Sequence, residues 1–194
     1  DTHLAIEREM NLLRIDGMDG EQIGAINWFG VHTTSVHNDN HSICWDNKGY
    51  AADFMERELR QQPNAAGFIG AFGQGPAGDV TPNYVWDAKK KWTRGPYEDD
   101  FESARSNGHL QYRKAMQIYN EAENGHHVQG GLDWGLLHVN FANVQADPEF
   151  ANGHADARTD SACHGLAFFA GTTEGPGMPP LVKGLAKFAA NMVK

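Results

Sequence analysis

Apolar and polar positions fall into blocks whose spacing predicts a set of short strands and amphipathic helices. Ile6 to Ile15 carries Met10, Leu12, Leu13 and Ile15 and runs into the turn material Asp16-Gly17-Met18-Asp19-Gly20. Gly24 to Val31 is a second apolar run, so the pair predicts two strands joined by a loop. A third run, Gly67-Phe68-Ile69-Gly70-Ala71-Phe72, is short and uncharged and predicts a buried strand. Tyr50 to Arg60 sets Ala51, Phe54, Met55 and Leu59 at near-helical spacing, with Glu56, Arg57, Glu58 and Arg60 elsewhere on the surface, which predicts a packing helix. Leu110 to Ala122, with Leu110, Ala115, Ile118, Tyr119 and Ala122 on one stripe, predicts a second helix. Leu181 to Val193 predicts a third. Gly130 to Val144 mixes apolar residues on both parities and reads as a strand buried on part of both faces. Residues 84–106 have little periodicity and read as an irregular surface or rim segment, and residues 145–160 as an exposed polar loop. The sum is a mixed α/β chain, with short strands in mixed sheets flanked by helices near 50–60, 110–122 and 181–193.

Composition narrows this picture. A chain of 194 residues with 40% hydrophobic content can bury one sizeable core, so a single domain, or a central segment of a larger one, is expected over 1–194. Net charge is −9, and no basic cluster is interleaved with aromatics, which argues against a nucleic-acid partner. No run approaches the roughly 18 apolar residues that span a bilayer. The start, Asp1-Thr2-His3, reads as a cut or processed end. Cys44 and Cys163 are too few to define a disulfide framework.

Candidate chemistry centres on Gly78-Asp79-Val80-Thr81-Pro82-Asn83. Pro82 biases Thr81 towards an extended backbone, and Gly75, Pro76 and Gly78 make the approach a tight loop, so the Thr81 hydroxyl is held by backbone where a nucleophile could sit. The same residues also read as a strand-ending turn in which Asp79 and Thr81 satisfy nearby N–H groups. His32, at the end of the second strand, is either a metal ligand facing a cavity or a satisfied structural histidine. His37-Asn38-Asp39-Asn40-His41 is a competing metal cluster or a solvated turn. Asp46 or Asn47 is expected to cap the helix beginning near Tyr50. Trp86, Trp92 and Tyr97 line a lipid-facing mouth or pack against the domain. His126 and His127 suit a helix C-terminus, and His138 reads as a core or rim histidine. Cys163 beside His164 makes a poor thiol-protease pair, because adjacent side chains seldom face each other.

Four blocks taken in order carry a family resemblance: Asn27-Trp28-Phe29-Gly30-Val31-His32-Thr33-Thr34-Ser35, Asp46-Asn47-Lys48-Gly49, Gly78 to Asn83, and Phe169-Ala170-Gly171-Thr172-Thr173-Glu174-Gly175-Pro176-Gly177. They resemble the N-W-F-x-x-H-x-T-S, D-N-K-G, G-D-V-S-P-N and F-A-A-G-T-x-D-G-P-G blocks of the neutral, non-lysosomal ceramidase family. The resemblance implies a Zn2+-dependent amidase that acts on linear amides and cleaves ceramide into sphingoid base and fatty acid. It implies access to a membrane surface and a secreted, cell-surface or periplasmic location. By the same resemblance His32 is a zinc ligand, Thr81 takes the place of the active-site serine, and Gly78, Asp79 and Asn83 shape the active-site loop.

Two departures follow. Thr81 adds a methyl that restricts χ1 and crowds the attacking oxygen. The family's remaining zinc ligands, a histidine before Asp1 and a glutamate and tyrosine after Lys194, match nothing here, so further segments or chains are expected to complete the site. A related amide hydrolase on a non-ceramide substrate, suggested also by Cys44-Trp45, and a non-catalytic lipid-binding remnant are the alternatives.

Overall fold

The computed structural model describes residues 6–163, 170–179, 181–182 and 184–185. The expected helix over 181–193 therefore lies largely outside the described residues.

Strand β1 (Asn11–Asp16) pairs antiparallel with β2 (Gln22–Phe29), with Leu13 opposite Ile26. The connection closes where the Gly17 N–H donates to Glu21 O over 2.7 Å and Gly20 takes a φ of +86°. Strand β3 (Ile69–Gln74) lies parallel to β2, from Gly24 opposite Ile69 to Phe29 opposite Gln74. The sheet order is thus β1-β2-β3, and helix α1 (Asp46–Leu59) carries the crossover that a parallel pair requires. The first three strands and the first helix expected from the hydrophobic pattern are present.

Helix α2 runs from Asp100 to Glu121, so it begins about 2.8 turns before the expected start at Leu110. Its N-cap is Asp99, whose side chain accepts the Glu102 N–H at 2.8 Å, so Asp99-x-x-Glu102 was the overlooked start signal. Ser106-Asn107-Gly108 masked it, being weak helix formers in mid-helix. Gly108 has a packing reason. A Cβ there would lie 2.6 Å from Asn47 O and 3.0 Å from Ala51 N, so α1 and α2 meet backbone to backbone. The buried stripe of α2 is accordingly Ala104, Gly108, Gln111, Ala115, Met116 and Tyr119, while Leu110 points outward.

The core gathers Met55 and Leu59 of α1, Ala115, Met116 and Tyr119 of α2, Ala25 of β2, and Ala65 and Phe68 ahead of β3. Phe68 and Tyr119 meet edge to face with centroids 5.6 Å apart. Burial of each large side chain contributes about 1.5–3 kcal/mol. The segment read as irregular between 84 and 106 also holds a hairpin, β4 (Val85–Asp87) and β5 (Trp92–Arg94), turned at Lys91 with φ +58°.

Residues 1–126 with 172–176 form one compact unit, and residues 127–171 with 177–194 a second. In the second unit, 130–144 is no strand. Its described backbone is irregular and its apolar side chains are exposed, Leu132 at 103% and Trp134 at 87%. Alternation supplies apolar faces, but a strand exists only through a hydrogen-bonded neighbour, and none pairs with it among the described residues. His138 is exposed rather than a core residue. Residues 145–160 form the exposed loop expected, closed by a single antiparallel bridge between Gln145 and Arg158.

Candidate active site

The end of β2 and the end of β3 are joined before either loop begins. Gly75 N–H donates to Phe29 O at 3.1 Å, and a Cβ on Gly30 would strike Pro76 O at 2.5 Å, so only glycine fits there. Gln74 grips Val31 at both backbone groups, accepting its N–H at 3.0 Å and donating to its carbonyl at 2.7 Å. His32 leaves this clamp facing the second loop.

Val80 O receives two donors from His32, the backbone N–H at 3.1 Å and ring Nδ1 at 2.8 Å. A carbonyl can only accept, so Nδ1 carries the proton and a neutral ring keeps its lone pair on Nε2. A carbonyl partner on one ring nitrogen is the usual support of a metal-ligating histidine, and the donor chemistry of His32 fits one zinc ligand.

The Thr81 loop is a tight turn in which Val80 N–H donates to Ala77 O at 2.8 Å, with Gly78 at φ +52°. Thr81 Oγ1 accepts the Asn83 N–H at 3.0 Å, the backbone-satisfying contact of the turn reading, and this fixes the hydroxyl oxygen. Asp79 and Gly78 are exposed at the tip, and Asp79 makes no side-chain hydrogen bond among the described residues. Asn83, 2% exposed, donates from Nδ2 to Thr34 O at 2.6 Å and to Glu174 Oε2 at 3.1 Å. Glu174 Oε2 also accepts from Thr34 Oγ1 at 3.1 Å.

The Asp46-Asn47-Lys48-Gly49 block lies inside the helix and does not cap it, contrary to expectation. The α1 helix starts at Asp46 itself, behind Trp45, with no side-chain cap on its N-cap residue. The Asp46 carboxylate accepts the N–H groups of Ser35 at 3.2 Å, Val36 at 2.8 Å and Asn47 at 2.7 Å. Asn47, wholly buried, donates to His32 O at 2.9 Å and Ser35 Oγ at 3.1 Å and accepts from Gln111 Nε2 at 3.1 Å. Lys48 Nζ donates to Phe29 O at 2.6 Å, and burial lowers its pKa to about 8. A Cβ on Gly49 would strike the Trp45 side chain at 2.3 Å. Asp46, Asn47 and Lys48 therefore hold the end of β2 and the His32 loop in place, and Gly49 leaves room for the Trp45 side chain. Sequence alone offered only local partners for them, whereas the partners that matter are 10 to 64 residues away.

The competing cluster dissolves. His37, 5% exposed, directs Nδ1 at Asp100 Oδ2 over 2.8 Å and Nε2 at Thr93 O over 2.9 Å, and its ring stacks on Trp92 at 4.6 Å. Neither nitrogen is left for a metal. Asn40 N–H donates to His37 O at 3.1 Å, so the segment is a turn. Among the described residues no group of three His, Cys, Asp or Glu side chains is arranged around a metal position. Trp92 thus packs, whereas Trp86 is exposed. Cys44 and Cys163 are both free thiols. An open groove of about 440 Å³ between α1 and α2, lined by Phe54, Tyr97, Glu102, Arg105 and His109, contains neither His32 nor Thr81.

The family model described as neutral/alkaline non-lysosomal ceramidase, N-terminal, matches residues 2–194. Neutral ceramidase B of Dictyostelium discoideum is 36% identical over 195 residues, covering 89% of this chain and 27% of that protein. Neutral ceramidase of Pseudomonas aeruginosa is 37% identical over 180 residues, covering 92% and 25%. A crystal structure of neutral ceramidase from P. aeruginosa superposes with a TM-score of 0.65 at 34% identity, over 90% of this chain and 28% of that one. A ceramidase complexed with C2 superposes with a TM-score of 0.68 at 34% identity, over 91% and 26%. The chain spans about a quarter of the length of these relatives.

Proposed function

The chain belongs to the neutral/alkaline non-lysosomal ceramidase family, and from that membership we propose that it is part of a zinc-dependent enzyme hydrolysing the N-acyl amide bond of ceramide. Water adds across the C–N bond. Its oxygen goes to the acyl carbon to give the fatty acid, and a proton goes to the leaving amine of the sphingoid base.

The observation that carries this reading is the His32–Val80 contact, which joins a histidine whose Nε2 makes no hydrogen bond among the described residues to the residue before Thr81. His32 would hold the zinc through Nε2. When bound, zinc polarises an amide carbonyl or lowers the pKa of its water to about 7. Thr81 presents a hydroxyl whose oxygen is held by the Asn83 N–H, leaving its proton to donate to the charge that develops on the carbonyl oxygen, or its oxygen to assist attack. Gly78, Asp79 and Asn83 shape that loop. A catalytic zinc takes about three protein ligands, so the others come from segments or chains beyond these residues. Access to ceramide at a membrane surface and a secreted, cell-surface or periplasmic location belong to the same proposal; among the described residues no helix is long and apolar enough to cross a membrane.

The second reading, an amide hydrolase for a non-ceramide acyl amide, rests on the methyl of Thr81 beside the attacking oxygen. Zinc content and hydrolysis of a fluorescent ceramide, measured on the complete assembly, test the first. Near-stoichiometric zinc is expected, with Thr81→Ala keeping the zinc and losing about 10²–10³-fold in kcat. A zinc-free, inactive assembly would leave the non-catalytic lipid-binding remnant.

A further inference from the structure

The His32 loop and the Thr81 turn come from different strands, and a site made of both works only if their relative position is fixed. Two bonds to Val80 O fix one side of it. The other side converges on a single atom. Glu174 Oε2 accepts from Thr34 Oγ1 and from Asn83 Nδ2, each at 3.1 Å, and the same Asn83 amide donates to Thr34 O at 2.6 Å. Thr34 follows His32 by two residues, and Asn83 follows Thr81 by two. The triangle therefore ties together both loops, two residues along the chain from each of the residues with chemistry.

The orientation of Asn83 is determined by this arrangement. Nδ2 faces a carbonyl and a carboxylate, both acceptors, so a flipped amide would set oxygen against oxygen. Glu174 is itself delivered from a fixed place. Its own N–H donates to Thr172 Oγ1 at 3.1 Å, and Thr173 O accepts from Thr93 Oγ1 at 3.1 Å on β5. Thr93 O in turn receives His37 Nε2 at 2.9 Å, and His37 Nδ1 meets Asp100 at the start of α2. A carboxylate brought from residue 174 is thus braced on the hairpin and the helix before it reaches the loops.

We infer that Glu174 is a positioning residue for the reaction, holding the His32 loop and the Thr81 turn in register through Thr34 and Asn83. This rests on the amidase reading for its effect on turnover, but the clasp itself has an independent readout. Bonds to an ionised carboxylate are about twice as strong as neutral ones, and loss of such a brace misplaces reacting groups without touching substrate.

The test compares Glu174→Ala and Glu174→Gln with the parent in the complete assembly. A displacement of about 1 Å costs about 10²-fold, so Glu174→Ala is expected to lower kcat by about 10–100-fold with KM changed less than about threefold. Glu174→Gln keeps an acceptor oxygen with two lone pairs and is expected to stay within about fivefold of the parent. Amide hydrogen exchange supplies the second measurement. In Glu174→Ala the His32 and Asn83 N–H groups should lose protection by about tenfold or more while those of the β2–β3 ladder keep theirs. Unchanged protection at His32 and Asn83 overturns the inference whatever the substrate proves to be. Loss of protection with an inactive parent leaves the clasp standing and sinks the ceramidase reading instead. Equal damage from Gln and Ala would overturn the hydrogen-bond account.

Discussion

Lys48 shows how one residue can carry a structural role and a pH signature together. Its ammonium is packed at the end of β2 with Nζ on Phe29 O, and burial lowers the pKa from 10.5 to about 8. A lysine pKa lowered by folding means that the unfolded chain binds more protons between those two values, so this group's contribution to stability rises with pH from about 8 to about 10.5 and is at its least favourable below 8. Lys48→Met removes the titration. Denaturant midpoints at pH 8 and pH 10 should show the parent gaining on the variant over that interval, and parallel profiles would contradict it. At Thr81 the methyl is the issue. Thr81→Ser keeps the oxygen that accepts the Asn83 N–H and relieves χ1, so kcat on ceramide should equal or exceed the parent's; a fall would show that the methyl seats the substrate.

At the scale of elements, the close crossing of α1 and α2 is the feature most exposed to a single change. Gly108→Ala improves helix propensity by about 1 kcal/mol, yet its Cβ would meet the Asn47 carbonyl at 2.6 Å and the Ala51 nitrogen at 3.0 Å. Both neighbours are backbone and cannot rotate away. Net destabilisation of about 1–3 kcal/mol is expected in thermal or denaturant unfolding. The displaced Asn47 should also slacken its bond to His32 O, so zinc affinity should fall with stability. The helix is therefore part of the site's support, although none of its residues is among the candidate site residues.

On the scale of the whole molecule, the described residues supply His32 as a candidate zinc ligand and the Thr81 hydroxyl, and the chain spans about a quarter of its relatives' length. Chelation of the complete assembly is expected to abolish amide hydrolysis and zinc resupply to restore it. His32→Ala should lower the zinc content and not be rescued by the same zinc. Hydrolysis unaffected by chelation would remove zinc from the mechanism. The exposed apolar run Leu132 to Phe141 behaves differently from the rest: its pattern is that of a buried strand, but it has no ladder partner among the described residues.

The sequence by itself determined the elements whose cause is local. The apolar runs within 6–15, 24–31 and 67–72, the helical spacing of 50–60, and the glycines and proline of the Thr81 turn act over a few residues, and the four ordered blocks were enough to place the chain in its family. Only the tertiary structure decided what those blocks do. Asp46 and Asn47 looked like caps because a cap is the nearest use for their side chains, yet folding brings Ser35, His32 and Gln111 from distant parts of the chain into hydrogen-bonding contact with them. The early start of α2 was legible in Asp99-x-x-Glu102, but Gly108 spoke against it until α1 was seen lying against that glycine. His32, Val80, Asn83 and Glu174 are separated by up to 142 positions in the chain and meet through hydrogen bonds of about 3 Å, and such bonds leave no period in a sequence for pattern reading to find.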